Sequence, residues 1–159
     1  MQKITPFLWL DTQAEEAAKF YASIFPNSRI LKTARYGEAG PGPKGSVMTI
    51  EFELDGQRMI ALNGGPHFKF TEAISLSVDC RDQKEVDHYW SKLSQGGQES
   101  MCGWLKDRYG LSWQVNPAIL GELFADPDAK KAKRVMEAML KMKKIDIAAL
   151  KRAYEGTAK

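Results

Sequence analysis

The chain has 159 residues, 43% of them hydrophobic and 27% charged, which is typical of a globular protein with a core of its own. No apolar run approaches the roughly 18 residues that a membrane span needs, and residues 1–6 lack the charged and then apolar pattern of a signal peptide. The two cysteines, Cys80 and Cys102, lack a metal-binding or redox spacing. We therefore expect a cytoplasmic protein with reduced thiols and no membrane partner.

The formal net charge of +3 is distributed unevenly along the chain. Residues 127–159 contain ten Lys or Arg and four Asp or Glu, whereas the preceding residues carry a net negative charge. A basic segment can bind nucleic acid or an acidic partner. The exposed faces of amphipathic helices give the same pattern. We favour the second explanation, and nucleic acid is not an expected partner.

The first half of the chain predicts one strand, one helix and three further strands. Hydrophobic periodicity places them at about 3–10, 13–25, 29–36, 46–54 and 57–63. Asp55-Gly56 is a hairpin turn between the last two strands. The Gly/Pro-rich segment 37–45 precedes a strand rather than a helix, so it does not fit a phosphate-binding loop and is expected to be a mobile connection or lid.

The second half repeats this order. Strands and a helix are predicted at about 73–80, 82–94, 98–102, 104–108 and 111–116. Asp11 and Asp79 end the first strand of each half, and Tyr21 and Tyr89 follow ten residues later. We expect both aspartates to cap helices. The sequence thus predicts an α+β fold of duplicated βαβββ modules with curled mixed sheets, its halves at about 3–65 and 72–117.

A helical extension is predicted at 118–159. Asp126-Pro127 is a helix start signal, and Asp146 could cap a last helix. Between them an apolar stripe recurs at three- and four-residue steps; it contains Ala132, Val135, Met136, Met139 and Leu140, with Lys143 at the next step. Such a stripe can pack on its own domain or form a dimer contact, and the sequence leaves both open.

Alternation with period two divides the predicted strands into an apolar and a short-polar face. In the second half, Leu111, Trp113 and Val115 share one face. Aromatic residues with scattered hydrogen-bonding groups describe a small-molecule pocket, although a packed interior is the alternative. The predicted ligand-binding residues are Thr5, Phe7, Trp9, Asn63, Ser75, Ser77, Ser112, Gln114 and Asn116, with Met59, Ala61 and Ala73 on the same inner face.

Several motifs resemble the PhnB-like branch of the vicinal oxygen chelate superfamily, the glyoxalase/bleomycin-resistance/dioxygenase proteins. They are Thr5-Pro6-Phe7-Leu8-Trp9, Phe20-Tyr21, Phe25-Pro26-Asn27-Ser28, Leu62-Asn63-Gly64-Gly65-Pro66, Cys102-Gly103-Trp104-Leu105-Lys106-Asp107 and Met142-Lys143-Lys144-Ile145-Asp146. The resemblance implies two modules, each curling a sheet around a cavity, and a homodimer. Proteins of this branch carry the label 3-demethylubiquinone-9 3-methyltransferase. Methyl transfer is not expected, because no glycine-rich strand-to-helix turn is present for the methyl donor.

The resemblance also implies a test for a metal, since superfamily enzymes hold a divalent ion with four strand residues. The corresponding positions fall at Thr5, Ala61, Ala73 and Gln114, and alanine has no donor atom. A one-residue shift would substitute Asn63 or Ser75, which are poor ligands. His67 in a loop and His88 on the outer helix cannot complete the set. We expect no metal and no other cofactor.

Enzymatic function by other means stays open. Cys102 is a candidate nucleophile with Lys106 on its side of the strand, and His67 is a candidate acid or base. An inert thiol and an ordinary loop histidine are the simpler interpretations, and Lys106 with Asp107 fits a hairpin turn. The sequence therefore favours a metal-independent homodimer that binds a small molecule. The alternative is an enzyme with a rearranged metal site or an acid/base site.

Overall fold

The computed structural model describes residues 2–157. The chain divides into two compact units, unit 1 up to Phe70 and unit 2 from Thr71 onwards. No helix within the described residues is long and apolar enough to span a membrane.

Unit 1 is a four-stranded mixed sheet with one helix on it. Its elements are β1 (Phe7–Leu10), α1 (Ala14–Ile24), β2 (Arg29–Arg35), β3 (Val47–Leu54) and β4 (Gln57–Asn63). The strand order is β1-β4-β3-β2, with β1 parallel to β4 and the other pairs antiparallel. Tyr21 of α1 stacks on Phe52 of β3 with ring centroids 6.3 Å apart. Both side chains are fully buried, so they lie at the centre of this core.

Unit 2 repeats the same topology. Its first elements are β5 (Ser75–Cys80), α2 (Gln83–Ser94), β6 (Gln98–Glu99), β7 (Trp104–Lys106) and β8 (Ser112–Pro117). The strand order is β5-β8-β7-β6, again with a parallel first pair. The predicted duplication of a βαβββ module is confirmed.

Three helices follow the second sheet: α3 (Ile119–Phe124), α4 (Ala129–Met139) and α5 (Ile147–Glu155). Their shared core contains Leu120, Leu123, Val135, Ile145 and Leu150. Met139 packs against this core, whereas Met136 and Leu140 are 40% and 57% exposed. The apolar stripe of α4 is therefore split between a buried edge and an exposed edge.

The segment between α4 and α5 is fastened to the second sheet. The backbone N–H groups of Cys102 and Gly103 donate to the carbonyl oxygens of Met142 and Lys143, both at 2.8 Å. Gly103 has a φ of +80°, and a Cβ built there would lie 2.8 Å from the carbonyl oxygen of Val115. Glycine is required at this position because φ is positive and the backbone of the neighbouring strand β8 leaves no room for a side chain.

Several local predictions were wrong. α4 begins two residues later than expected, since the Asp128 side chain accepts from Lys130 N at 2.9 Å and is the N-cap. Asp11 and Asp79 do not cap the helices that follow them. Asp82 caps α2 instead, because only it lies next to the first turn. β1 begins at Phe7 rather than near residue 3. The short helix α3 lies within the predicted helical extension, although no separate helix was assigned there.

The Gly/Pro-rich segment 37–45 folds around Tyr36. The Tyr36 ring is 7% exposed, and its hydroxyl donates to the carbonyl oxygen of Asn63. A Cβ on Gly40 or Gly42 would lie 2.4 or 2.3 Å from this ring. The glycines therefore let the backbone contact both sides of the tyrosine, and the segment is a packed loop around an aromatic side chain.

Candidate functional site

One side of the second sheet is lined by polar side chains, and we call it the polar face. Register and burial assign to it Ser75, Ser77, Asp79, Trp104, Lys106, Ser112, Gln114 and Asn116. The opposite side is apolar and packs against α2; Val78, Leu105 and Val115 are buried there. Strand alternation separates the two sides, because successive side chains point in opposite directions.

Side-chain amides and hydroxyls on the polar face bond to one another. The Gln114 Nε2 group donates to Ser75 Oγ at 2.9 Å. The Asn116 Nδ2 group donates to Ser77 Oγ at 3.2 Å and to Gln114 Oε1 at 3.4 Å. Each serine thus accepts a hydrogen bond from an amide, and its own hydroxyl group can still rotate and donate to another acceptor. These hydroxyls can donate to a molecule that lies on the polar face.

A cavity of about 480 Å³ lies between the polar face and the C-terminal helices. Asp79, Trp104, Gln114 and Asn116 line it on the sheet side, with Cys102 from the preceding turn. The helices contribute Leu120, Gly121, Phe124 and Met139. This volume lies within the usual range for small-molecule sites, roughly 300–1,000 Å³. One wall is polar and the other is apolar.

A smaller cavity of about 200 Å³ lies on the other side of Trp104. Its lining includes Glu72, Lys106 and Ser112. Lys106 forms an ion pair with Glu72, and the hydrogen bond from Lys106 holds the pKa of this carboxyl below its usual value. The Ser112 hydroxyl is 1% exposed and finds no hydrogen-bond partner within residues 2–157. Trp104 therefore separates two cavities on one sheet.

The predicted site residues of unit 1 do not all share one face. Phe7 pairs with Ile60 and Trp9 with Leu62, so these four point away from α1, and Phe7 is 57% exposed. Thr5 precedes β1 and is half-buried. The Trp9 indole N–H donates to the carbonyl oxygen of Gly65 at 2.9 Å.

Asn63 lies on the other face, which corrects the predicted inner set. It pairs with Leu10, and its Oδ1 accepts from Ala14 N at 2.8 Å, which closes the first turn of α1. Met59 and Ala61 are also buried on the α1 side. The prediction counted β4 in the wrong register by one residue, and such a shift reverses every side chain. Asn63 instead lines a separate cavity of about 420 Å³ beside Tyr36.

The candidate reactive groups differ in their surroundings. Cys102 has a φ of +60° and borders the larger cavity, whereas the nearby Lys106 ammonium is paired with Glu72. His67 is exposed in a turn, and His88 is exposed on α2. In the part of the chain that the structure describes, no three His, Cys, Asp or Glu side chains come together as a metal site would require.

Two units of βαβββ topology define the vicinal oxygen chelate fold, and solved structures share it. Protein PA1353 from Pseudomonas aeruginosa is 20% identical, with a TM-score of 0.61 over 74% of this chain and 98% of its own. The fosfomycin resistance protein FosX from Listeria monocytogenes, solved with Mn(II) and sulfate, is 14% identical, with a TM-score of 0.54 over 78% of this chain and 97% of its own. At these identities the likeness concerns the fold alone.

The sequence profile of the 3-demethylubiquinone-9 3-methyltransferase family matches residues 2–116. A PhnB protein from Bacillus cereus, described by the same activity, is 41% identical over 74% of this chain and 100% of its own, with a TM-score of 0.68. The chain belongs to this PhnB family. A comparison with curated proteins gave no match. The family profile ends at residue 116, so α3, α4 and α5 lie beyond it.

Proposed function

We propose that this protein binds a small molecule on the polar face of unit 2 without a metal. The observation that carries the proposal is the cavity of about 480 Å³, in which Gln114 and Asn116 oppose apolar helix side chains. Ligand pockets combine apolar walls with a few fixed polar groups in this way. Of the predicted residues, Gln114 and Asn116 line the cavity, and Ser75 and Ser77 bond to them.

Metal independence is supported by the donor atoms that the strands offer. Thr5 lies before β1, and Ala61 is buried against α1. On the other face of β4, Ile60 and Leu62 have no donor atom either. Divalent cations need oxygen or imidazole donors, and Gln114 alone does not hold one. Dialysis against a chelator should therefore leave ligand affinity unchanged, and elemental analysis should find no stoichiometric divalent metal.

The family name refers to methyl transfer, which we do not propose for this chain. Methyl donors of the S-adenosylmethionine type usually bind a glycine-rich turn between a strand and a helix. Here the three such turns within the described residues, 11–13, 81–82 and 118, contain no glycine. Binding without group transfer is the function that these residues support best.

We also propose that the protein is a cytoplasmic homodimer. Free thiols at Cys80 and Cys102 support a reducing compartment. Large apolar side chains support self-association, since Phe7 and Leu140 are both 57% exposed. Sedimentation of the full chain, of Phe7→Glu and of Leu140→Glu tests this. The substitution that dissociates the dimer identifies the residue that lies in the interface. A monomeric full chain would refute the dimer.

The binding proposal is tested with a fragment library of neutral, cationic and anionic aromatic molecules. Heteronuclear NMR on the labelled full chain reads the side-chain amides of Gln114 and Asn116. We expect some fragments to shift both signals, and Gln114→Ala to weaken those fragments by about three- to tenfold. Lys130→Ala on the exposed surface of α4 is the control. The proposal fails if no fragment shifts these amides.

A further inference from the structure

We infer that the larger cavity, which α3 and α4 close with an apolar wall, is selective for an amine carried on a compact apolar body. This inference rests on the proposed function and adds a ligand class to it. The helices that close the cavity lie outside the family profile, which ends at residue 116. The preference for an apolar body would therefore belong to this chain and to relatives that share its C-terminal helices, whereas the charge preference comes from the sheet.

The apolar part of the ligand is indicated by the helix wall. Leu120 and Met139 belong to the edge of the helical core, and Phe124 packs beside them. Trp104 faces the cavity from the sheet. A compact hydrocarbon or aromatic group between Trp104 and Phe124 would bury apolar surface on both of its sides, which is the main source of affinity in such pockets.

The amine is indicated by the charge of the lining. Asp79 is the one carboxylate on the cavity wall, and no Lys, Arg or His belongs to that wall within the described residues. The Asp79 carboxylate forms no ion pair or hydrogen bond with residues 2–157. The nearest lysine of the polar face, Lys106, lies in the other cavity and is paired with Glu72.

The side-chain amide oxygens of Gln114 and Asn116 and the Trp104 indole also favour a positively charged ligand. The side-chain oxygens of Gln114 and Asn116 can accept from an ammonium group, and the Trp104 ring attracts cations through its π face. An anionic ligand would meet the Asp79 carboxylate with no cation to balance it. Cationic, neutral and anionic ligands with the same apolar body should therefore bind with decreasing affinity.

Three probes of matched shape test this order: 2-phenylethylamine, 2-phenylethanol and 3-phenylpropionate. Calorimetry on the full chain should rank the amine first and the acid last. Because Asp79 is solvent-exposed, Asp79→Asn should weaken the amine only about two- to fivefold and leave the alcohol unchanged. Asp55→Asn, in the exposed β3–β4 turn of unit 1, is the matched control for loss of one carboxylate.

A second variant tests the helix wall without disturbing the core. A Cβ built at Gly121 meets no atom within 4 Å, so Gly121→Leu can fill cavity space without a clash. It should weaken all three probes by at least about tenfold, whereas Glu122→Leu on the same helix should not. Equal affinity of the amine and the acid, or full binding by Gly121→Leu, would overturn the inference. Binding at Gln114 and Asn116 without charge preference would still uphold the proposed function.

Discussion

The carboxylate of Asp107 accepts the indole N–H of Trp113 at 2.8 Å, which joins a hairpin turn to the core of unit 2. Both side chains are 3% exposed. Oδ1 of the same carboxylate accepts from two backbone groups, Tyr109 N at 2.8 Å and Leu111 N at 3.1 Å. A buried carboxylate is tolerated here because at least three donors solvate it.

Removal of this carboxylate should be costly. Asp107→Ala removes the carboxylate that accepts from the buried N–H groups of Leu111 and Trp113, and we expect a loss of roughly 3–5 kcal/mol in the free energy of unfolding. Urea denaturation measures it. Asp107→Asn should lose less, since its side-chain oxygen can still accept from the turn.

A double-mutant cycle isolates the bond to the indole. Asp107→Asn and Trp113→Phe should be strongly coupled, because each removes the same hydrogen bond. The double variant should therefore be more stable than the sum of the single losses predicts. Additive losses would show that the Trp113 bond contributes nothing of its own.

The alkaline stability of unit 2 should depend on Cys80. Burial raises the pKa of this thiol to about 12, and the carboxylates of Glu85 and Asp79 act in the same direction. The folded state therefore keeps the proton that the unfolded chain releases near pH 9. The stabilisation is complete below that pH and is lost as the pH rises towards 12. Between pH 8 and pH 10, the urea midpoint should fall more for the wild type than for Cys80→Ala. Equal declines of the urea midpoint in the two proteins would contradict the raised pKa of Cys80.

The hydroxyl of Ser112 should be dispensable for folding. It is buried without a partner within residues 2–157, and such a group costs about 1–3 kcal/mol. Ser112→Ala should leave the urea midpoint unchanged or raise it. Ser75→Ala is the matched control, because Ser75 accepts from Gln114 Nε2 and its loss should cost about 1 kcal/mol. Destabilisation of Ser112→Ala beyond that of Ser75→Ala would indicate a bridging water or another partner.

Alternation of polar and apolar residues predicted correctly which face each side chain takes in the second sheet, but it failed for β4. In β8 the residues Ser112 to Val115 alternate strictly between polar and apolar side chains, so the faces are fixed by composition. In β4 the residues Met59 to Leu62 are all apolar, and both registers satisfy the same pattern. Pairing with β1 decides between them, which depends on contacts far along the chain.

The larger cavity could not be predicted from the strands. The sequence indicated the polar face, since Ser77, Gln114 and Asn116 recur at period two. Its helix wall depends on where the C-terminal helices dock, and docking is a tertiary contact. The sequence contained one local indication of this docking, because Gly103 and residues 142–145 each belong to a family motif. Their backbone hydrogen bonds to each other were not expected.

Gln83 of α2 should hold the C-terminal helices in place. Its Nε2 group donates to the carbonyl oxygen of Ile145 at 3.0 Å, and its Oε1 accepts from Ile147 N at 2.8 Å. It thereby bonds two backbone groups at the start of α5, next to the fully buried Ile145 side chain. Gln83→Ala should expose this segment to local opening, because both backbone groups lose their partner.

Hydrogen exchange measures this opening. Amides of α5 should exchange about tenfold faster in Gln83→Ala, while those of β5 and β8 keep their rates. Lys144→Ala is the control, since it removes the exposed ion pair to Asp87 and should change exchange less than about fivefold. Faster exchange throughout unit 2 would mean that Gln83 stabilises the whole unit rather than the docking. Leu120 and Met139 of the C-terminal helices line the larger cavity. Gln83→Ala should therefore also weaken 2-phenylethylamine binding.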